Sequence, residues 1–286
     1  MQKGSVRGFE DSETSFLWRK SLPRSYVNFL GHKLLRLLEA LRGLGAFALI
    51  TLGVMVRKMH IARQVIHPLI IVHVYRSGFK LLPMVIFLAV ALGLVIIGQT
   101  VALLSGVGAN DFLGTVMVTV VVRELGPILT GLIVLLRSGT ANVVELGTAR
   151  ALGEVEALEV MGIDPIHYLV VPRLLGMALG TFSLTVYLIL GALISGYLWA
   201  FIQYVPLTPG EYLRQLATSL RWLDFVLLAL KTCLFGSIIA AVTCYHGLAQ
   251  PLRLEEVSRA TVQAVAQCII ACVLLDALFI VVYLLS

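Results

Sequence analysis

The stretch FLGTVMVTVVVRELGPILTGLIVLL, residues 112–136, is 25 residues long and carries only two charged side chains, Arg123 and Glu124. Because a helix needs about 20 mostly apolar residues to cross the hydrocarbon core of a bilayer, this stretch predicts a transmembrane helix. The rest of the chain follows the same pattern, with 59% hydrophobic and 13% charged residues. Soluble domains carry about 25% charged residues. The composition therefore excludes a water-soluble globule and predicts an integral membrane protein.

Four further runs are long and apolar enough to cross a membrane, so the predicted fold class is an all-α membrane protein with five spans. These runs are 81–104, 174–202, 225–244 and 262–285. The run 44–56 is too short to cross, and together with an amphipathic stretch at 26–42 it indicates helices that lie in the membrane interface. We therefore expect a basic N-terminal segment with interfacial helices, 1–78, followed by a five-span domain, 79–286.

Basic side chains are concentrated on one side of the predicted spans. With the N-terminus in the cytoplasm, the cytoplasmic segments hold 18 Lys and Arg residues and the outer segments hold two, Arg214 and Arg221. Since Lys and Arg are enriched in cytoplasmic loops, we expect the N-terminus inside and the C-terminus outside. Residues 1–80 alone hold 13 basic and 4 acidic side chains. This excess indicates contact with anionic lipid rather than with nucleic acid.

The cytoplasmic connection between the second and third spans contains a short amphipathic helix, predicted at 153–162, which Gly162 ends. Three apolar side chains repeat along it at three-residue intervals, with carboxylates between them. The apolar residues are Val155, Leu158 and Met161, and the acidic residues are Glu154, Glu156 and Glu159. Such a helix either lies on lipid or docks on a partner protein. We favour the partner protein, because three carboxylates would lie close to an anionic leaflet.

Four charged side chains fall inside the predicted spans. They are Arg123, Glu124, Lys231 and Asp276. A charge at the bilayer centre costs about 2.5–3.5 kcal/mol on insertion scales, so each should have a partner or a function. Because adjacent residues on a helix do not face each other, Arg123 and Glu124 should not pair with each other. We expect an ion pair either between Arg123 and Asp276 or between Glu124 and Lys231. The charges either hold helices together or border a substrate cavity; we favour the first role for Arg123 and the second for Glu124.

Sequence motifs of catalysis and of nucleotide binding are missing from the chain. It has no Gly-Lys dipeptide and therefore no P-loop, and it has neither an HExxH nor a Cys-x-x-Cys motif. The six histidines do not show the spacing of metal ligands. We expect no catalytic residue, no metal site and no cofactor bound by this chain.

The motif block that starts at Arg123 resembles that of the MlaE (YrbE) family, the permease subunits of bacterial lipid-transporting ABC transporters. The block comprises RELGP at 123–127, ELGT at 145–148, EVEALEVMGIDP at 154–165 and VPR at 171–173, and the family also has a Lys and an Asp where Lys231 and Asp276 lie. The resemblance gives structural roles to eight residues of the block: Gly126, Pro127, Glu145, Gly147, Asp164, Pro165, Pro172 and Arg173.

This resemblance implies a permease that moves phospholipid or a related lipid between the bacterial inner membrane and an MCE-domain protein on the outer side. It also implies a homodimer with two copies of a cytoplasmic ATPase, which would bind ATP and Mg²⁺ and dock on the helix that carries Glu154–Met161. This chain would then not itself be an enzyme. The alternatives are a membrane scaffold that transports nothing and an ion-coupled carrier without an ATPase.

Overall fold

The structure is a computed structural model that describes residues 42–57, 63–108, 112–202, 208–248 and 253–285. The chain divides into two units, Met1–Ala46 and Phe47–Ser286. In the first unit, the described residues 42–46 are helical. The rest of the description concerns the second unit. The interfacial helix predicted at 26–42 lies outside the described residues except at its last position.

The described residues form helices and short turns, and no strand occurs among them. Helix α1 covers residues 42–57, α2 Arg63–Ser77, and α3 Leu82–Leu92, a π-helical turn Gly93–Ile97 and Gly98–Val107. Helix α4 covers Gly114–Ala151, α5 Glu154–Val160 and α6 Ile166–Ile202. Helix α7 covers Pro209–Ser219, α8 Trp222–Leu248 and α9 Val257–Leu285.

Five segments of the described chain are long and apolar enough to cross a membrane, which confirms the predicted five-span fold class. The segments are Ile66–Val101, Gly114–Ala151, Ile166–Ile202, Trp222–Leu248 and Leu254–Leu285. The last three contain the predicted spans 174–202, 225–244 and 262–285 and extend at most eight residues beyond them. The second is longer, because its helix continues 15 residues beyond Leu136 into the cytoplasmic connection.

The first apolar segment begins at Ile66, 15 residues before the predicted start of the first span at Leu81. Arg76 and Lys80 interrupt the apolar run in the sequence, but α2 continues through Ser77 and packs along the first half of α6. Two glycines of α6 permit this close approach. A Cβ atom on Gly176 would lie 2.5 Å from the Cβ of His73, and one on Gly180 would lie 2.4 Å from the Oγ of Ser77.

Helix α6 is the central element of the second unit, because it packs against α2, α3, α4 and α8. Buried hydroxyl groups in this interior are satisfied within their own helices: Thr181 donates to the carbonyl of Met177, and Thr185 donates to the carbonyl of Thr181. Helix α9 is the least covered of the spans. Only 11% of its most apolar stretch is buried, against 50–56% for the segments of α4, α6 and α8.

Candidate functional site: a buried ion-pair network

The ammonium group of Lys231 is the centre of a network of charges inside the helix bundle. Its side chain is fully buried, and Nζ lies 2.9 Å from Oε2 of Glu124 and 2.6 Å from Oδ1 of Asp276. Nζ also donates to the backbone carbonyl of Arg123 over 2.9 Å. Three oxygen atoms thus surround a group that has three N–H donors. Of the two pairings that the sequence left open, the structure contains Glu124 with Lys231.

The Arg123 carbonyl that accepts from Lys231 is left without its usual hydrogen bond within the helix because of a proline. Pro127 has no N–H to donate to the carbonyl of Arg123, which lies four residues earlier in the same helix. The helix is π-helical at this point, over Val118–Leu125, so the usual ladder is already interrupted. π-helical turns of this kind are frequent at functional sites. The Arg-Glu-Leu-Gly-Pro motif therefore supplies both a carboxylate and a released carbonyl to the buried ammonium group.

Arg123 pairs with Asp224, and the alternative pairing with Asp276 is wrong. The guanidinium Nε lies 3.0 Å from Oδ1 of Asp224, and Nη2 donates to Oδ2 over 3.2 Å. The backbone N–H of Arg221 donates to the same Oδ2 over 2.9 Å, and the ring of Tyr283 lies 5.1 Å below the guanidinium carbon. Asp224 was missed because it lies one residue before the predicted fourth span, where a carboxylate does not suggest a buried partner.

The charged residues described so far lie near one end of the bundle, and we call them the Lys231 network. They are Arg123, Glu124, Asp224, Lys231 and Asp276. Arg123 lies nine residues after the start of α4, Lys231 nine residues after the start of α8, and Asp276 nine residues before the end of α9. At a rise of about 1.5 Å per residue, the network lies about 14 Å below those helix ends. Arg123 and Glu124 therefore lie nearer the predicted outer end of α4 than its cytoplasmic end, at a depth close to half of a hydrocarbon core of about 30 Å.

The Lys231 network holds two cations and three carboxylates, so it carries one excess negative charge when every group is ionised. Its acidic members are unequally exposed. The side chain of Asp224 is 4% exposed, that of Asp276 13% and that of Glu124 27%, while Lys231 is 0% exposed. Glu124 is therefore the carboxylate through which the network reaches the surface of the isolated chain.

A polar pocket of about 440 Å³ lies beside Arg123 at the predicted outer end. Thr115, Thr119 and Gln215 line it together with Arg123 and Arg221. Arg123 thus has a second side that faces open space in addition to its ion pair with Asp224. A smaller pocket of about 150 Å³, lined mostly by apolar side chains of α4, α8 and α9, reaches Asp276 from another direction.

Helix α7 forms one wall of the polar pocket and is fixed at its N-terminus by a capping box. The side chain of Thr208 accepts from the N–H of Glu211, and the carboxylate of Glu211 accepts from the N–H of Thr208. These hydrogen bonds hold the pKa of Glu211 below its ordinary value. The hydroxyl of Tyr212 donates to the carbonyl of Leu193 over 3.1 Å, and burial raises the pKa of this phenol.

The predicted docking helix is present as α5, and the left-handed backbone of Gly153 and Gly162, with φ of +77° and +76°, bounds it on both sides. Val155 was expected to face a partner, but its side chain is 1% exposed and packs in this chain's own core. It belongs there to a cluster of buried residues with Leu146, Val170, Cys244 and Leu248. Leu158 is half-buried, whereas Val160 and Met161 are 88% and 65% exposed. Docking itself stays a prediction.

Six of the eight residues of the predicted structural motif lie towards the opposite end of the bundle from the Lys231 network, whereas Gly126 and Pro127 lie beside it. The carboxylate of Glu145 binds Nη2 of Arg173 over 3.1 Å and Nη1 of Arg76 over 3.0 Å, which ties α4 to α6 and α2. Asp164 accepts from the backbone N–H of Ile166 and begins the turn into α6. The buried motif residues are Gly126, Pro127, Gly147, Pro172 and Arg173.

Among the residues that the structure describes, no three His, Cys, Asp or Glu side chains are placed so that they could hold a metal ion. The network consists of ion-paired charges in an apolar bundle, with one carboxylate in excess, and no nucleophile is paired with a base in it. Fold and site together define a multi-pass helical membrane protein with a buried polar layer.

Residues 70–282 match the family described as Permease MlaE. A probable ABC transporter permease protein of Rickettsia prowazekii is 33% identical over 188 residues, which cover 66% of this chain and 72% of that protein. A probable ABC transporter permease protein of Rickettsia bellii is 28% identical over 239 residues, covering 84% and 90%. The intermembrane phospholipid transport system permease protein MlaE of Haemophilus influenzae is 23% identical over 240 residues, covering 84% and 91%. The chain belongs to the MlaE family and is a permease of an ABC transporter, as the motif block predicted.

Proposed function

We propose that this permease moves a phospholipid or a related lipid between the bacterial inner membrane and an MCE-domain protein, driven by a separate ATPase. The observation that carries the proposal is the Lys231 network. It places a partly accessible carboxylate, Glu124, and the polar pocket beside Arg123 within an otherwise apolar bundle. An amphiphile needs both environments, because its headgroup must be solvated by polar groups while its acyl chains contact apolar helices. The phospholipid transport named for the Haemophilus relative supports the same substrate class.

The proposed partners correspond to surfaces that the single chain leaves uncovered. The apolar face of α9, which is mostly exposed, is proposed as the contact with a second copy in a homodimer. The exposed end of α5, with Val160 and Met161, is proposed as the contact with the ATPase in the cytoplasm. The MCE-domain protein is proposed at the other end, where α7 and the polar pocket lie, with the N-terminus inside and the C-terminus outside.

Closure of the ATPase dimer would draw the two α5 helices together. Helix α5 follows α4 after a two-residue turn that contains Gly153, and α4 carries Arg123 and Glu124 at its far end. A movement of α4 relative to α8 and α9 would therefore change the distances from Glu124 and Arg123 to Lys231 and Asp224. We propose that this movement opens and closes the polar layer to the lipid headgroup.

The test is lipid transfer in proteoliposomes that contain the permease, its ATPase and an MCE-domain acceptor. Wild type should transfer fluorescent phospholipid with ATP, an ATPase-dead partner should abolish transfer, and a protonophore should not affect it. Loss of transfer with the protonophore alone would favour an ion-coupled carrier, and assembly without any transfer would favour a scaffold.

The polar layer is tested separately by Glu124→Gln, which keeps the size of the side chain but removes its charge. We expect normal expression and ATPase association with about a tenfold loss of transfer rate, since one good charged hydrogen bond is worth about 1.5–3 kcal/mol. Glu256→Gln, at an exposed carboxylate near the start of α9, is the matched control. Normal transfer by the Glu124→Gln protein would contradict the role proposed for this residue.

A further inference from the structure

A second polar pocket, of about 530 Å³, lies at the predicted cytoplasmic end of the bundle. It is separate from the Lys231 network: Arg137, on its wall, follows Arg123 by 14 residues on the same helix, or about 21 Å along the axis. The pocket lies between the end of α2, the second half of α4 and the start of α6. Its basic lining residues are Arg76, Lys80 and Arg137, so we refer to it as the basic pocket.

Most polar groups in the basic pocket are already engaged within the chain. The hydroxyl of Ser77 shares its one proton between the carbonyls of His73 and Gly176, at 2.7 and 2.9 Å, and the amide of Asn142 donates to the sulfur of Met177. The carboxylate in its lining, Glu145, binds two arginines, one of which is Arg76.

Lys80 and Arg137 are the cations that remain. Both side chains are exposed, and neither has a carboxylate within ion-pair distance among the residues that the structure describes. With Glu145 engaged by Arg76 and Arg173, the pocket carries an uncompensated positive charge of about two. Such a pocket favours an anion, and two cations flanking one space suit the two free oxygens of a phosphodiester.

The walls next to these cations are apolar and face outwards. Leu136 is 59% exposed and Val144 47%, and both line the same pocket. A free anion gains nothing from these side chains, whereas the glycerol backbone and the first methylenes of a lipid would cover them. The depth is also appropriate, because Leu136 and Arg137 form the predicted boundary between the second span and the cytoplasm. Basic pockets between transmembrane helices at this level suit anionic headgroups.

We propose that the basic pocket binds the phosphodiester headgroup of an anionic phospholipid from the cytoplasmic leaflet, with Lys80 and Arg137 as its charge contacts. This site goes beyond the proposed transport function, since it is distinct from the polar layer around Lys231. Naming the cytoplasmic leaflet rests on the proposed orientation, but the binding chemistry does not.

The test measures lipid retained by the full chain, purified without its partners in a mild detergent, by native mass spectrometry. The probes are dioleoylphosphatidylglycerol and dioleoylphosphatidylcholine added at equal mole fraction. The double variant Lys80→Gln/Arg137→Gln should retain about thirtyfold less phosphatidylglycerol, because each of the two cations near an anionic lipid contributes about 1 kcal/mol. Retention of phosphatidylcholine should not change. The charge-conserving variant Arg137→Lys should keep most of the phosphatidylglycerol binding.

The matched control is Arg253→Gln/Arg259→Gln, which removes two exposed cations from the same predicted side of the membrane. Equal losses in the control and in the test variant would overturn the proposal, since general surface charge would then explain binding. So would unchanged retention by the test variant, or displacement of phosphatidylglycerol by millimolar inorganic phosphate, which would assign the pocket to a free anion. The measurement needs neither an ATPase nor transfer, so it can fail while the proposed function stands, or the reverse.

Discussion

Replacing Lys231 by Met removes the cation that lies between Glu124 and Asp276. Met fills a similar volume, so packing changes little, but two carboxylates are left facing each other in the bundle. Each contact of Nζ, at 2.9 and 2.6 Å, corresponds to about 6 kcal/mol of attraction at an effective dielectric constant of about 20. Much of this attraction offsets the desolvation of a fully buried ammonium group. The net loss on breaking such a pair is about 3–5 kcal/mol.

We expect this loss in the free energy of unfolding, measured in mixed micelles by titration with sodium dodecyl sulfate and followed by fluorescence of the 3 tryptophans. Arg214→Met, at an exposed cation of α7, is the control and should change stability by less than about 0.5 kcal/mol. The triple variant Lys231→Met/Glu124→Gln/Asp276→Asn should recover most of the loss, because it leaves no charge without a partner. A single variant as stable as wild type, or a triple variant no better than the single one, would refute the assignment of Lys231 as the centre of the network.

Three further predictions concern the ends of the helices. Val160→Asp should abolish co-purification of the ATPase, because it places a charge on the most exposed apolar side chain of the docking surface, whereas Leu213→Asp at the other end should not. A reporter inserted after Gly162 should be active in the cytoplasm, and one fused to the C-terminus should be active outside; a cytoplasmic C-terminus would contradict the proposed orientation. Thr208→Ala should raise the pKa of Glu211 towards its ordinary value in a carbon-13 titration. In wild type, the capping contribution of this carboxylate should be present above the ordinary glutamate pKa and should be lost as the pH falls through the lower, folded value.

The apolar runs predicted the spans, because hydrophobicity over 20 residues reports directly on the solvent around a helix. The pairing of Glu124 with Lys231 was accessible from the sequence only as one of two alternatives, since both charges lie inside such runs and need a partner. The pairing of Arg123 with Asp224 was not, because Asp224 stands at the edge of a run, where a charge is ordinary. That Asp224 is buried against Arg123 becomes apparent only in the structure, where α8 packs beside α4.

The direction of α5 could not be predicted either. Val155, Leu158 and Met161 form an apolar stripe, but a stripe on a seven-residue helix does not reveal whether it covers the chain's own core or a partner. In the structure Val155 is buried in the chain's own core, whereas Val160 and Met161 are both exposed to the outside of the chain. The extension of the first apolar segment back to Ile66 could not be predicted for a related reason. The charges of Arg76 and Lys80 mark a boundary in composition, while the helix continues because Gly176 and Gly180 let α2 pack closely against α6.

The Lys231 network also constrains the order of events during biosynthesis. Glu124 is synthesised 107 residues before Lys231 and 152 residues before Asp276. At about 5–20 residues per second, α4 therefore waits about 8–30 s, with two charged side chains in place, until the last helix supplies the final carboxylate. The bundle is therefore complete only when the C-terminal helix, α9, has been synthesised and packed. A nonsense mutation that removes α9 alone should thus act as a failure of the entire chain to mature, visible as rapid proteolysis of the nascent permease.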